Sequence, residues 1–238
     1  MSAAIISFHN ITKQFPEVTA LQGLNLQIRQ GEIFGLLGLN GAGKTTLLRC
    51  LLCLIKPNFG EIFFKGDALR SDDIQKNFGF LPENFQPYGN LTGKEFLRIL
   101  AWGLGQNSAK VDSLFEQAGL SEQKDKYIKA YSRGMIQRLG LAVALLKNPE
   151  VIILDEPTLG LDPLGQSQIL GLLKDLNQQG KTVFFSSHIL SQVEKVCWRI
   201  GIIHRGRIVF VGTTEELLKK QNRASLEEAF LSTIKSQA

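Results

Sequence analysis

The run Gly38-Leu39-Asn40-Gly41-Ala42-Gly43-Lys44-Thr45 fits the spacing G-x-x-x-x-G-K-[ST]. Each residue type has a physical reason to be there. Glycines let backbone N–H groups turn inward and approach phosphate oxygens closely. A helix beginning at Lys44 adds the partial positive charge of its N-terminus. Lys44 supplies a point charge for β- and γ-phosphates, and the Thr45 hydroxyl can ligate Mg²⁺. With Gly at ~7%, Lys at ~6% and Ser plus Thr at ~12% of residues, such a run arises by accident in about 1% of chains this long. The spacing predicts a nucleoside triphosphate site and does not by itself name a reaction.

A second candidate lies at Val151-Ile152-Ile153-Leu154-Asp155-Glu156, four apolar residues ending in two acids. At the carboxyl end of a parallel strand these acids emerge beside the phosphate turn. Side chains alternate along a strand, so the two acids can take separate roles. Asp155 suits Mg²⁺, directly or through water. Glu156, one step further out, suits orientation or deprotonation of an attacking water.

Other reactive types carry less. His9 and His204 have no chemical company and read as structural. Cys50 and Cys53 are at helical spacing in an apolar run with no second pair nearby, so they read as two buried thiols rather than half a metal site. The count of Cys, 3, excludes a disulfide framework.

The elements that must position these residues follow from the hydrophobic pattern. Ile5–Ile11 and Leu21–Ile28 are β-rich, and Ile33–Leu37 is a continuous apolar run of the kind that forms a strand buried on both faces. A helix is expected from Lys44 to about Ile55, stopped by Pro57 and Gly60. Glu61–Phe64 and Phe78–Leu81 read as strands. From Thr92 to about Lys147 the pattern is helical throughout, with Thr92 and Glu95 as a capping box and Ser121 as a further N-cap. Val151–Leu154 and Thr182–Phe185 are buried strands, each followed by a helix, at Pro163–Gln178 and Ile189–Val196. Ile200–Ile203 and Ile208–Val211 flank a hairpin turn at Arg205-Gly206. Helices at Thr214–Lys220 and Ser225–Lys235 close the chain. Strands alternating with helices imply parallel βαβ units with helices on both faces, interrupted by an inserted helical subdomain.

Length and composition set bounds. A chain of 238 residues fits one α/β domain, and 44% hydrophobic with 21% charged residues is globular composition. The net charge of +5 permits docking on an anionic surface, but no basic run has the density of a nucleic-acid arm, so no direct nucleic-acid contact is expected. No stretch approaches the roughly 18 apolar residues of a membrane span. Met1–Ile6 lacks the pattern of a signal peptide. A cytosolic chain is expected, unless something else holds it to a membrane.

Further motifs surround the acids. Pro157-Thr158 and Gly160-Leu161-Asp162-Pro163 follow them. Tyr131-Ser132-Arg133-Gly134-Met135-Ile136-Gln137-Arg138-Leu139 precedes them, and Ser186-Ser187-His188 ends a later apolar strand. In this order, with the phosphate turn, they resemble the ATP-binding subunits of ABC transporters, from about Ile5 to Val211. Tyr131 with Met135 and Gln137-Arg138 resembles a branch that serves mainly exporters, and Ser225–Phe230 is similar to that branch too. The resemblance implies an α/β fold: a P-loop NTPase core with a parallel sheet, an N-terminal antiparallel β subdomain and an inserted α-helical subdomain. It implies one domain over residues 1–238, with the helical subdomain at about 92–147 and a short helical tail at about 212–238.

The resemblance also implies a mechanism. Two subunits pair head to tail and bury two ATP molecules with Mg²⁺. Each ATP touches Gly38, Leu39, Asn40, Gly41, Ala42, Gly43, Lys44, Thr45 and Thr46 of one subunit, and Ser132 and Gly134 of the other. Ser132 can N-cap a helix running to about Lys147, which aims a helix N-terminus at a γ-phosphate. By position, Phe15 stacks on adenine, where most relatives have Tyr. Glu83 contacts Mg²⁺ and the attacking water, where relatives have Gln or Glu, and the segment Asn84–Leu91 faces a membrane partner. Asp162 crosses the dimer interface. His188 contacts the γ-phosphate and orients Glu156 and water. Lys44, Glu156 and His188 are thus the implied catalytic group, and Thr45, Glu83 and Asp155 the implied metal ligands. Relatives read Leu-Ser-Gly-Gly-Gln where this chain reads Tyr131-Ser132-Arg133-Gly134-Met135, so Arg133 and Met135 receive no role. The implied partners are a second copy or a paralogous ATPase subunit, and an integral-membrane permease that holds the chain at the cytoplasmic face of the cell membrane. Two other readings stay open: a soluble ATPase of the same superfamily acting in DNA repair or translation, and a P-loop kinase for a small metabolite. The first usually carries tandem cassettes or coiled-coil inserts. The second needs an acceptor pocket and leaves Ser132-Arg133-Gly134 unexplained.

Overall fold

The computed structural model describes residues 3–236. The chain opens with a long hairpin, β1 (Ala4–Phe15) and β2 (Val18–Arg29), before β3 (Ile33–Leu37) enters a second sheet. Helix α1 (Lys44–Leu51) follows the glycine turn. Then β4 (Phe59–Phe64) and β5 (Asp67–Ala68) return to the hairpin, giving an antiparallel sheet in the order β2-β1-β4-β5. Helix α2 (Ser71–Asn77) leads to β6 (Phe78–Leu81). A helical stretch comes next: α3 (Gly93–Gly103), α4 (Val111–Gln117) and α5 (Arg133–Leu145). The chain returns through β7 (Val151–Asp155), α6 (Pro163–Gln178), β8 (Thr182–Ser187), α7 (Leu190–Val196), β9 (Arg199–His204) and β10 (Arg207–Gly212). It closes with α8 (Thr214–Gln221) and α9 (Leu226–Lys235).

The second sheet has the order β10-β9-β3-β8-β7-β6, parallel except for β10 at its edge. Every residue of β3, β7 and β8 is buried, as their unbroken apolar runs require. Alternation along β7 serves two cores. Ile152 and Leu154 join Leu81, Phe96, Phe115 and Leu139 under the helical stretch, while Val151 and Ile153 join Phe8, Phe34 and Phe184 under the antiparallel sheet. Phe184 meets Phe8 and Phe34 edge-on, at centroid distances of 6.5 and 5.7 Å. Helices α8 and α9 pack on through Leu217, Ala229 and Phe230.

Several local expectations need correction. Helix α1 stops at Leu51 rather than near Ile55, because Cys53 takes a left-handed conformation (φ 55°) and the N–H groups of Leu54 and Ile55 fold back onto Arg49 O. That turn leaves Cys53 exposed while Cys50 is buried, so the pair is not two buried thiols. The stretch from Thr92 to Lys147 is not helical throughout, since turns and single 3₁₀ turns fill the gaps between α3, α4 and α5. Ser121 caps nothing; Leu120 stands at the cap of a 3₁₀ turn there. The capping box of α3 is present, with Thr92 N–H donating to Glu95 Oε2 at 2.8 Å and Glu95 N–H to Thr92 Oγ1 at 3.2 Å. Strand β5 and helix α2 carry no buried residue, which is why no hydrophobic period announced them.

Candidate functional site

Four parallel strands end together. Leu37 pairs with Ser187, Asp155 with Ser186, and Leu81 with Leu154. The residues that leave these ends, Gly38, His188, Glu156 and Glu83, therefore emerge along one edge of the sheet. A cavity of about 900 Å³ opens there, and Phe15, the turn Leu39–Thr46, Glu83, Glu156 and His188 all line it.

The glycine turn is held by close backbone contacts. A Cβ on Gly38 would lie 2.7 Å from Ile203 O, and one on Gly43 only 2.6 Å from Ala20 O. Gly43 also sits at φ 109° and Gly41 at φ 78°, which favour glycine. From behind, Gly206 N–H donates to Ala42 O at 2.9 Å, so the β9–β10 turn braces the loop.

Lys44 is the first residue of α1 and is 6% exposed. Its Nζ donates to Gly38 O at 2.7 Å and lies 3.1 Å from Glu156 Oε1. Glu156, also 6% exposed, takes a left-handed backbone (φ 48°), which bends the chain as it leaves β7. Its Oε2 is 2.9 Å from His188 Nδ1 and accepts the His188 backbone N–H at 3.3 Å. The Nδ1 edge of the ring is thus committed to the carboxylate, and Nε2 is the ring nitrogen free for another partner. Ser186 sits beneath both acids. Its hydroxyl donates to Asp155 Oδ1 at 2.5 Å and accepts Glu156 N–H at 3.0 Å.

Phe15 ends β1 with 42% of its surface exposed, and its ring lines the cavity instead of the core. Lys13 Nζ lies 5.3 Å from the ring centroid. Asp155 is buried behind the cavity wall. The metal donors expected here, Thr45, Glu83 and Asp155, are all oxygens, which suits Mg²⁺. That ion needs only one or two protein ligands beside phosphates and waters.

Ser132, Gly134 and Asp162 do not line this cavity. They gather in a second cluster, where Ser132 caps α5 by accepting Met135 N–H at 3.3 Å. Met135 Sδ takes the Ser132 N–H in return, at 3.5 Å. Asp162 caps α6, accepting Gly165 N–H at 2.7 Å. The Arg133 guanidinium covers Gly160, where a Cβ would lie 2.4 Å from Arg133 Nη1. Sequence reasoning overlooked this contact, and with it Val18 and Arg205 on the cavity wall and the double role of Ser186. Only Ser186 had a signal, its place in Ser186-Ser187-His188.

Comparison with known proteins agrees with this arrangement. The family model described as "ABC transporter" matches residues 21–159. An uncharacterised ABC transporter ATP-binding protein of Nostoc sp. is 46% identical over 213 residues, covering 87% of this chain and 63% of the relative, so the chain spans less than two thirds of that protein. The bacitracin transport ATP-binding protein of Bacillus licheniformis is 41% identical over 237 residues, 94% of this chain and 74% of that one. Among solved structures, an ATP-binding subunit of an ABC transporter superposes with a TM-score of 0.83 at 28% identity, covering 96% of this chain and 99% of its own. A bacterial ABC transporter cassette solved as a dimer gives 0.78 at 28% identity, over 87% and 98%. The antiparallel sheet, the second sheet with its glycine turn, and the helices between β6 and β7 are those of an ABC ATPase cassette, and the chain belongs to the ABC transporter family, among its ATP-binding proteins.

Proposed function

We propose that this chain binds and hydrolyses ATP as a subunit of an ABC transporter, and that closure around ATP drives a separate membrane permease. One observation carries the reading: Lys44, Glu156 and His188 meet through one carboxylate at the rim of a cavity large enough for a nucleotide. Phe15 offers a ring for the base, and the turn Gly38–Thr46 offers backbone N–H groups for the phosphates. A γ-phosphate drawing Lys44 to itself loosens the Lys44–Glu156 pair and frees Glu156 to accept a proton from water. His188, oriented by Glu156, has Nε2 left for the phosphate side, where it acts as an N–H donor because phosphate oxygens only accept. Thr45 and Glu83 on the cavity wall, with Asp155 behind it acting through water, would hold Mg²⁺, which when bound neutralises phosphate charge.

The second cluster is the half-site offered to a partner. Ser132 and Gly134 begin α5, and a helix start facing a γ-phosphate is an anion site. A head-to-tail dimer of this chain, or a pair with a paralogue, brings that helix start to the other subunit's nucleotide. The dimeric cassette among the structural relatives supports this arrangement. The relatives named for bacitracin transport, and the Tyr131 form of the signature, favour export. Among the described residues no helix is long and apolar enough to cross a membrane, which fits attachment through a permease at the cytoplasmic face. The reading treats the whole chain as one ATP-binding domain, with residues 92–147 as its helical insert and 212–238 as its tail.

The test is phosphate release from Mg-ATP by the purified chain, with Lys44→Ala as control. Free phosphate from the wild type and none from the variant supports the reading. A phosphorylated metabolite in place of free phosphate selects a kinase.

A further inference from the structure

Gln192, on α7, is 2% exposed, and its side chain joins two segments that both leave the active-site edge. The Thr158 hydroxyl, on a residue 1% exposed and two positions past Glu156, donates to Gln192 Oε1. The Ser187 hydroxyl, one position before His188, donates to the same oxygen at 3.4 Å. Ser187 Oγ also accepts Ile189 N–H at 2.9 Å, which fixes the bend that carries His188. On the other side, Thr158 O accepts Leu161 N–H at 3.2 Å, so Thr158 anchors the tight turn that ends at Asp162. The opposite atom of the amide, Gln192 Nε2, is buried and has no hydrogen-bond partner among the described residues. Burying an unpartnered amide is unfavourable, and a side chain held there for packing alone would be apolar. What the amide supplies in return is its two hydroxyl bonds.

We infer that Gln192 is a positioning residue for ATP hydrolysis: it ties the turn running from Glu156 to Asp162 to the bend that carries His188. Ser186 joins β7 to β8 as far as Asp155 and the Glu156 N–H. Beyond that point the Glu156 carboxylate reaches His188 directly, and Gln192 adds a second link further along both segments, at Thr158 and Ser187. A displacement of the Asp162 turn, the segment we assign to the partner interface, then reaches His188 through Thr158, Gln192 and Ser187. This inference rests on the reading of the site as an ATPase, so its test includes a measurement that does not need turnover.

The test is a double-variant cycle on the full chain with ¹⁵N-labelled histidine, the His188 ring signal being assigned through His188→Ala. Thr158→Val, Gln192→Met and the combination are compared, with Thr158→Ser retaining the hydroxyl. We expect Thr158→Val to shift the His188 signal and to lower kcat about tenfold, the ratio of about 1.4 kcal/mol. KM for ATP should stay within about twofold, since substrate binding is not what the tie supports. Thr158→Ser should keep wild-type values. In the Gln192→Met background, Thr158→Val should add neither a further shift nor a further loss. An equal shift with and without Gln192, or kcat losses that multiply, overturns the inference. Ser187→Ala repeats the cycle from the β8 side if Thr158→Val fails to fold. A wild type that releases no phosphate removes the ATPase reading, while the His188 shifts still decide whether the tie exists.

Discussion

His188 Nδ1 lies 2.9 Å from Glu156 Oε2, joining the end of β8 to the end of β7. The other oxygen of that carboxylate pairs with Lys44 at the end of the glycine turn after β3. One acid thus bridges the ends of three adjacent strands, and it is almost wholly buried. A buried charge needs its partners, so the carboxylate holds Lys44 and His188 as firmly as they hold it.

Lys44→Ala removes the charge assigned to the phosphates and leaves Glu156 with His188 alone. Charge-assisted hydrogen bonds contribute about 1.5–3 kcal/mol each, so ATP affinity should fall by at least that much. Calorimetric titration with ATP checks it; an unchanged Kd would remove Lys44 from the site.

Phe15→Ala should weaken ATP and ADP equally, because its ring is assigned to the base and not to a phosphate. Base–aromatic stacking contributes about 1–3 kcal/mol in comparable sites. Nucleotide titration should show the same ratio for both ligands, with kcat at saturation little changed. A loss confined to ATP would place the ring elsewhere.

Gly43→Ala puts a methyl 2.6 Å from Ala20 O at a residue with φ 109°. Neither the backbone carbonyl nor the left-handed conformation can yield cheaply. A loss of about 1–3 kcal/mol in urea unfolding is expected, together with weaker nucleotide binding. A variant as stable as the wild type would show that the turn tolerates a side chain.

The start of α3 should carry a pH dependence. The Thr92 backbone N–H, and then the Thr92 hydroxyl, hold the Glu95 carboxyl below its ordinary value of 4.5. A depressed folded value means the contribution is complete above the unfolded pKa and is lost as pH falls through the folded one. Wild type should therefore lose stability on acidification below about pH 4.5 faster than Glu95→Gln, whose cap does not titrate. Parallel thermal-unfolding curves against pH for the two proteins would contradict this.

Much of this site was legible from residue types alone. The glycine spacing, the two acids after an apolar run and the Ser186-Ser187-His188 ending each name a strand end, and parallel pairing leaves those ends no other edge to occupy. The Phe15 ring is different. The sequence alone cannot separate it from a core phenylalanine, because its exposure comes from its place at the end of β1, on the cavity wall. The contacts made by the Thr158 and Ser186 hydroxyls were hidden for a similar reason. Their partners lie in other segments, at separations of about 30 residues for Ser186–Glu156 and 34 for Thr158–Gln192. The early end of α1 depends on a left-handed Cys53, a conformation no side-chain pattern signals. Burial acts on both thiols: desolvation pushes Cys50 up to about 11 and also raises Cys53, with the Asp73 carboxylate adding to it.

The most direct measurement follows a single turnover of Mg-ATP by the wild type and by Glu156→Gln, reading bound nucleotide and released phosphate in the same samples. The account predicts that the variant binds ATP as the wild type does, keeps it unhydrolysed, and releases phosphate about 10²–10⁴ times more slowly. Phosphate release at the wild-type rate from Glu156→Gln would show that this carboxylate is not the base.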